Sequence, residues 1–240
     1  MTNMVADMFK DTLGKDDPNF IGLQNPGGTR ASLLDKDITY KQAAQVLPFA
    51  NTLTTTKITS AQFKKVLEQQ WQRAGTGEVP SRPYLQLGVS SNVTYTYDES
   101  RKEGDRITSV WVNGKPIDPK GTYTVGSGSF LIAGRDNFTE LAKGSKPVDS
   151  GKIDLSVWVD WIKAHKTLKP DFAKRAVSLT TSLHEGTSRD TTFTLGKPAD
   201  KAVAPDTVDF TSKDAVVNTI MKAQIVQDDK TVDVATTPVK

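Results

Sequence analysis

A chain of 240 residues, 36% of them apolar, is long enough for one large domain, or for a main domain with a small companion, and can bury a core. Its 17 glycines and 12 prolines favour a turn-rich fold over a helical bundle, and a net charge of +3 with mixed signs argues against nucleic acid. No apolar run reaches bilayer-spanning length, and the lack of cysteine excludes disulfides and thiolate metal sites.

In chain order, the stripe of Met4, Val5, Met8, Phe9 and Leu13 predicts a helix over 3–13, capped by Asn3 and ended by Gly14. A short buried strand over 20–23 delivers the loop at Asn25. A capping box from Thr39 to Gln42 starts a helix over 39–47 that Pro48 stops. A second box, Thr59 to Gln62, opens a helix over 59–73 with Phe63, Val66, Leu67, Gln70 and Trp71 on one face. Alternation at Val93, Tyr95 and Tyr97 predicts one or two strands within 84–97, broken near Ser90 and Ser91. A strand over 106–112 turns at Asn113-Gly114 towards Ile117 and 123–125, since Asn-Gly favours positive backbone torsions. Asp154 is read as the cap of a helix over 155–165 that turns Leu155, Trp158, Val159 and Ile162 inward.

Composition shifts near residue 175. Strands are expected over 177–183 and 191–195, with a turn at Glu185 to Ser188, and the pattern weakens beyond Gly196. The expected division is a main domain over 1–175 and a β-rich segment of unknown role over 176–240. The expected fold is α+β, a mixed or antiparallel β core flanked by helices, with the tail adding strands.

Three loops carry the binding candidates. In Asn25-Pro26-Gly27-Gly28-Thr29-Arg30, Gly27 and Gly28 permit close backbone approach, Arg30 brings a fork of donors, and Asn25 adds an amide. Phe49 follows Pro48 at a helix end, and Phe130 begins the run Phe130-Leu131-Ile132-Ala133-Gly134-Arg135-Asp136-Asn137-Phe138. Each phenylalanine is either a core residue or one wall of a slot for a flat ring. Asp136 is either a turn former or an acceptor for a sugar diol. No catalytic set accompanies them. His165 and His184 are the only histidines, no ligand spacing fits a metal, and Ser90, Ser127 and Ser129 have no base nearby in sequence.

With these motifs in place, the chain resembles the C-terminal substrate-binding domain of the 5'-nucleotidase and 2',3'-cyclic-nucleotide phosphodiesterase family, over residues 3–175. Asn3-Met4-Val5-Ala6-Asp7, Gly104-Asp105-Arg106-Ile107 and Val112-Asn113-Gly114-Lys115 extend the likeness. The resemblance implies that residues 1–14 are an interdomain linker helix and that Phe49 and Phe130 sandwich a nucleobase. It also implies that Asp136 holds the ribose hydroxyls and that Asn25, Gly27, Gly28 and Arg30 line the nucleoside site. Pro26 and Thr29 depart from the family loop, and Arg135 replaces a glycine, which makes it a possible specificity residue.

The resemblance further implies a partner, an N-terminal metallophosphatase domain that supplies two divalent metals. This chain itself is expected to hold no metal, cofactor or catalytic residue and to hydrolyse nothing alone. The ligand is then a nucleoside or nucleotide, with neither nucleic acid nor membrane insertion. The parent would be a metal-dependent nucleotide phosphohydrolase, extracellular, periplasmic or at the cell surface, although no signal-peptide pattern opens the chain. Two competing readings are a non-catalytic cell-surface or structural module derived from that domain, and an independent hydrolase.

Overall fold

The computed structural model describes residues 1–33, 37–169, 171, 173–184, 190–195, 220–227 and 230–238. The expected turn at 185–188 and most of the weak pattern beyond Gly196 lie outside them. Two compact units divide the chain, Met1–Pro198 and Ala199–Lys240.

The helices are α1 (Thr2–Leu13), α2 (Tyr40–Val46), α3 (Ser60–Glu68), the short α4 (Ser129–Ile132) and α5 (Thr139–Ala142), and α6 (Asp154–His165). The strands of the first unit are β1 (Ile21–Gln24), β2 (Thr52–Thr59), β3 (Gly88–Val89), β4 (Val93–Tyr97), β5 (Ile107–Val112), β6 (Lys115–Pro116), β7 (Thr122–Gly128), β8 (Ser145–Ile153), β9 (Ala176–His184) and β10 (Asp190–Leu195). They form two mixed sheets, ordered β3-β1-β7-β2-β8 and β10-β9-β4-β5-β6. The α+β class expected from sequence is the class observed. Both capping boxes form, with Thr39 and Thr59 each accepting from the backbone N–H of the glutamine three residues on.

Three local expectations are corrected. Asn3 does not cap α1; it lies inside the helix, and its Oδ1 accepts from the Val89 N–H at 3.2 Å, tying the helix to β3. Asp154 does not precede α6 but is its first residue, with Ile153 in the cap position. The third helix stops at Glu68, not Arg73, because Gln70 is wholly buried and its side chain takes over main-chain roles. Gln70 Nε2 donates to the Leu67 carbonyl at 2.8 Å, while Oε1 accepts from Leu87 N–H and from the Tyr95 hydroxyl, both at 2.9 Å. Trp71 is thereby free to bridge to Tyr84.

The core has two clusters. One joins Ile21, Leu23 and Val125 of the first sheet to Phe63, Val66 and Leu67 of α3 and to Val93, Tyr95 and Val112 of the second sheet. The other joins Val5, Met8 and Phe9 of α1 to Ala43, Val46 and Leu47 around α2, Leu53, and Trp158 of α6. Backbones nearly touch where α1 crosses β1: a Cβ added at Gly22 would collide with the Ala6 carbonyl oxygen. Arg175 locks the same helix. Buried and just ahead of β9, it donates to Asp7 Oδ1 and Oδ2 at 3.0 and 2.7 Å, to Asp171 Oδ2 at 2.5 Å and to the Val89 carbonyl at 2.6 Å. Burial opposes its charge, but the two aspartates outweigh that and hold its pKa above the ordinary value.

The sequence sets a division near 175, whereas the hydrogen-bonded structure runs through it. β9 pairs in parallel with β4, Ala176 opposite Tyr95, and β10 pairs antiparallel with β9. The described part of the second unit is a hairpin of β11 (Ile220–Gln227) and β12 (Lys230–Pro238), with an irregularity at Ala223/Gln224.

Candidate functional site

Strand register brings the three loops to one end of the first sheet. β1 runs parallel to β7, with Gly22 opposite Gly126, and β2 runs antiparallel to β7, with Leu53 opposite Gly128. The C-terminal ends of β1 and β7 therefore sit level with the N-terminal end of β2. Asn25 follows β1 directly, Phe130 follows β7 within the first turn of α4, and Phe49 precedes β2. Residues far apart in sequence are gathered by pairing alone.

At that end Asn25 Nδ2 donates to Asp136 Oδ2 at 2.7 Å. Asn25 is buried and Asp136 half-buried, so one carboxylate oxygen is committed to the amide while the group keeps solvent access. Pro26–Gly28 form one 3-10 turn directly after Asn25. A Cβ on Gly27 would meet Asp136 Oδ2 at 3.3 Å and Asn25 Nδ2 at 3.5 Å, and one on Gly28 would meet Asn25 Oδ1 and Gln24 Nε2 at 2.6 Å each. Both glycines thus lie close against polar side chains, Gly28 more tightly than Gly27, without positive φ. Asp136 and Asn137 both adopt left-handed backbone, φ 53° and 60°, a conformation that Asp and Asn tolerate better than most residues.

Phe49 and Phe130 are not core residues. Phe49 is 57% exposed and Phe130 44%, while Phe9, Phe20, Phe63 and Phe138 are fully buried. No ring–ring contact joins them to each other or to another aromatic side chain among the described residues. Two large apolar rings held out of the core at one sheet end are a departure from burial that a flat ligand would relieve.

The loops are braced from behind. Asn51 follows Phe49 by two residues, and its N–H and Nδ2 both donate to Asp154 Oδ2 at 3.2 Å, fixing the turn that carries the ring. Burial raises the Asp154 pKa, partly opposed by these bonds and by the Leu155 N–H. Between them Ala50 takes φ 52°, an unusual conformation for a residue with a Cβ. Asn137 Nδ2 donates to Gln72 Oε1 at 3.0 Å, pinning the Asp136 loop to the segment after α3.

The cations lie outside. Arg30 is exposed, and its Nη1 reaches the Gly27 carbonyl at 3.5 Å, a long contact. Arg135 is also exposed, and its guanidinium has no partner among the described residues. Sequence reasoning missed Arg82, which the fold brings to the same loop, with Nη1 4.0 Å from the position of a Gly27 Cβ. It also missed the bracing by Asp154, Asn51 and Gln72, because polar partners brought together only by tertiary packing carry no periodic signal.

Two of the serines weighed from sequence are committed to structural hydrogen bonds. Ser90 Oγ accepts from Gly22 N–H and donates to Asn92, and Ser127 Oγ donates to the Leu23 carbonyl at 2.6 Å, so both are structural ties. His165 packs on Trp161 at 3.9 Å between ring centroids. Among the described residues, no group of three or more His, Asp or Glu side chains is placed to hold a metal ion.

The family model for the 5'-nucleotidase C-terminal domain matches residues 1–143. The chain belongs to this family. A 5'-nucleotidase-related protein of Glossina morsitans morsitans is 34% identical over 158 residues, which are 62% of this chain and 28% of that protein. The NAD 5'-nucleotidase of Haemophilus influenzae is 30% identical over 177 residues, 68% of this chain and 28% of its own length. Among solved structures, the 5'-nucleotidase precursor from Thermus thermophilus superimposes with a TM-score of 0.63 at 29% identity, covering 74% of this chain and 34% of that one. The chain therefore spans under a third of the length of these curated relatives. The residues singled out as a site all fall within the matched range.

Proposed function

We propose that this chain is the nucleoside-recognition domain of a metal-dependent 5'-nucleotidase-like phosphohydrolase. Phe49 and Phe130 take a nucleobase between them, Asp136 accepts hydrogen bonds from the ribose hydroxyls, and Asn25 holds that carboxylate in place. The Gly27-Gly28 backbone lets the ligand approach closely, and Arg30 offers donors at its rim. The observation that carries the reading is the exposure of both phenylalanines at the sheet end that holds the Asn25–Asp136 pair.

Two divalent metals in a preceding metallophosphatase domain would supply the hydrolytic chemistry, and this chain's part is to bind and orient. An extracellular, periplasmic or cell-surface location belongs to the same reading. It fits the lack of cysteine. Affinity of the chain alone is weak, because each base–ring contact contributes only about 1–3 kcal/mol.

A calorimetric titration with adenosine tests the reading. Saturable binding that Phe49→Ala and Phe130→Ala each weaken at least about tenfold is expected, since a lost stacking contact of about 1.4 kcal/mol is a factor of ten. Binding that survives both substitutions would overturn it.

A further inference from the structure

We infer that the contact between Asn51 and Gly128 is the spacer of the proposed base slot, so that these two are positioning residues setting the separation of Phe49 from Phe130. The inference rests on the nucleoside-recognition reading and adds what fixes the width of that site.

The two rings hang from one point. Phe49 stands two residues before Asn51, and Phe130 two residues after Gly128. Asn51 and Gly128 meet directly. A Cβ built on Gly128 would lie 3.2 Å from Asn51 Cβ, 3.5 Å from Cγ and 3.7 Å from Nδ2, its three nearest atoms beyond the chain neighbours. Sheet pairing ends at the same place: Leu53 opposite Gly128 is the last pair of β2 with β7, and Phe130 and Phe49 lie on the segments beyond it. A two-residue arm spans at most about 7 Å, so neither phenylalanine Cα strays further than that from its end of the contact.

Both ends of the spacer are held. Asn51 N–H and Nδ2 donate to Asp154 Oδ2 at 3.2 Å, and Asp154 N–H returns a bond to the Asn51 carbonyl at 2.9 Å. Asp154 Oδ1 accepts from Leu155 N–H at 2.7 Å, which fastens the clasp to the first turn of α6. Gly128 is buried and precedes α4 with φ −62° and ψ 146°. Any residue adopts that backbone, so glycine is not there for torsional freedom. Its lack of a side chain is what the position uses. A methyl at 3.2 Å from Asn51 is tighter than ordinary contact, and the clasped asparagine or the start of α4 must then give by a few tenths of an ångström.

Such a shift matters to a flat ligand. A base between two rings needs about 7 Å from ring to ring, one contact of about 3.5 Å on each face. A gap of about 0.5 Å already forfeits about a quarter of a dispersion contact. Moving one arm relative to the other therefore weakens stacking without touching Asp136 or either phenylalanine.

The test is proton NMR of adenosine with the full 240-residue chain, for the wild type, Gly128→Ala, Asn51→Ala and the double variant. Affinity and the upfield shifts of H2 and H8 at saturation are both read, beside thermal unfolding. Expected for Gly128→Ala is an affinity about three- to tenfold lower, with smaller saturated shifts. In the Asn51→Ala background, where the clasp is gone, the same substitution should cost less than about twofold more, a coupling that independent sites would not show. A merely structural role would lower thermal stability and leave the saturated shifts as they were. Should Gly128→Ala fail to fold, Asn51→Ala, which adds no atom, carries the test through its reduced saturated shifts. Unchanged affinity and shifts in the folded variants, with adenosine still bound, overturn the spacer and leave the recognition reading standing. No adenosine binding by the wild type removes both together.

Discussion

Single residues decide how the site keeps its shape. At Gly28 the added Cβ of Gly28→Ala would press on the Asn25 and Gln24 side chains at 2.6 Å, and the Asn25 amide must turn away from Asp136. Adenosine affinity should fall about fivefold, the value of roughly one hydrogen bond, with the fold retained. Phe49→Ala and Phe130→Ala remove exposed rings, so thermal unfolding should shift by no more than about 0.5 kcal/mol while adenosine binding weakens at least about tenfold. Glu68 makes a different point. Its Oε1 accepts from Ile107 N–H, its Oε2 is buried without a partner, and burial raises its pKa despite that bond and the nearby Lys64 and Arg106. A carboxyl whose folded pKa is raised contributes stability below its ordinary value near 4.5, and that contribution is lost as pH rises through the raised value. Glu68→Gln should match the wild type in chemical denaturation below that pH and exceed it at neutral pH. Most residues of the candidate site were legible at this scale, since Asn25, Gly27, Gly28 and Asp136 stand in turn-rich loops. Arg82 was not, because nothing in an exposed arginine before a proline tells which loop it will face.

Elements hold those residues level, and here legibility divides by mechanism. Capping boxes and helical stripes showed α1, α2, α3 and α6, because each encodes its own start or face locally. β2 and β8 were not legible. β2 is the threonine-rich Thr52–Thr59, whose two neighbours β7 and β8 come from far along the chain, and β8 is exposed throughout its length. Without an apolar alternation, a strand of that kind is revealed only by its partners. The early end of α3 was hidden for a related reason, since Gln70 looks helical until its side chain is seen serving Leu87 and Tyr95. The docking of α1 yields a quantitative expectation. Arg175→Ala leaves Asp7 without its buried partner and should cost about 3 kcal/mol in urea unfolding, with Arg175→Lys recovering only part. A loss within about 0.5 kcal/mol would mean that the apolar face of α1 holds the helix unaided.

At the scale of the molecule, the family assignment came from dispersed motifs in the right order, while their assembly required the β1–β7–β2 register. The sequence drew a boundary near 175 from composition; pairing of β9 with β4 carries the second sheet beyond it, and composition has no access to a partner so far back in the chain. The chain belongs to the 5'-nucleotidase C-terminal family and spans under a third of its curated relatives, and the loops of the candidate site all lie within the matched residues. In the proposed complex a base lies between Phe49 and Phe130. The direct test is proton NMR of adenosine titrated with the chain, reading ring-current shifts at H2 and H8 and cross-relaxation to the aromatic protons of Phe49 and Phe130. The account predicts upfield shifts of both base protons and contacts to both rings, each lost on substituting that ring. Unshifted base protons at saturation, or contacts that persist in the Phe49→Ala and Phe130→Ala variants, would contradict it.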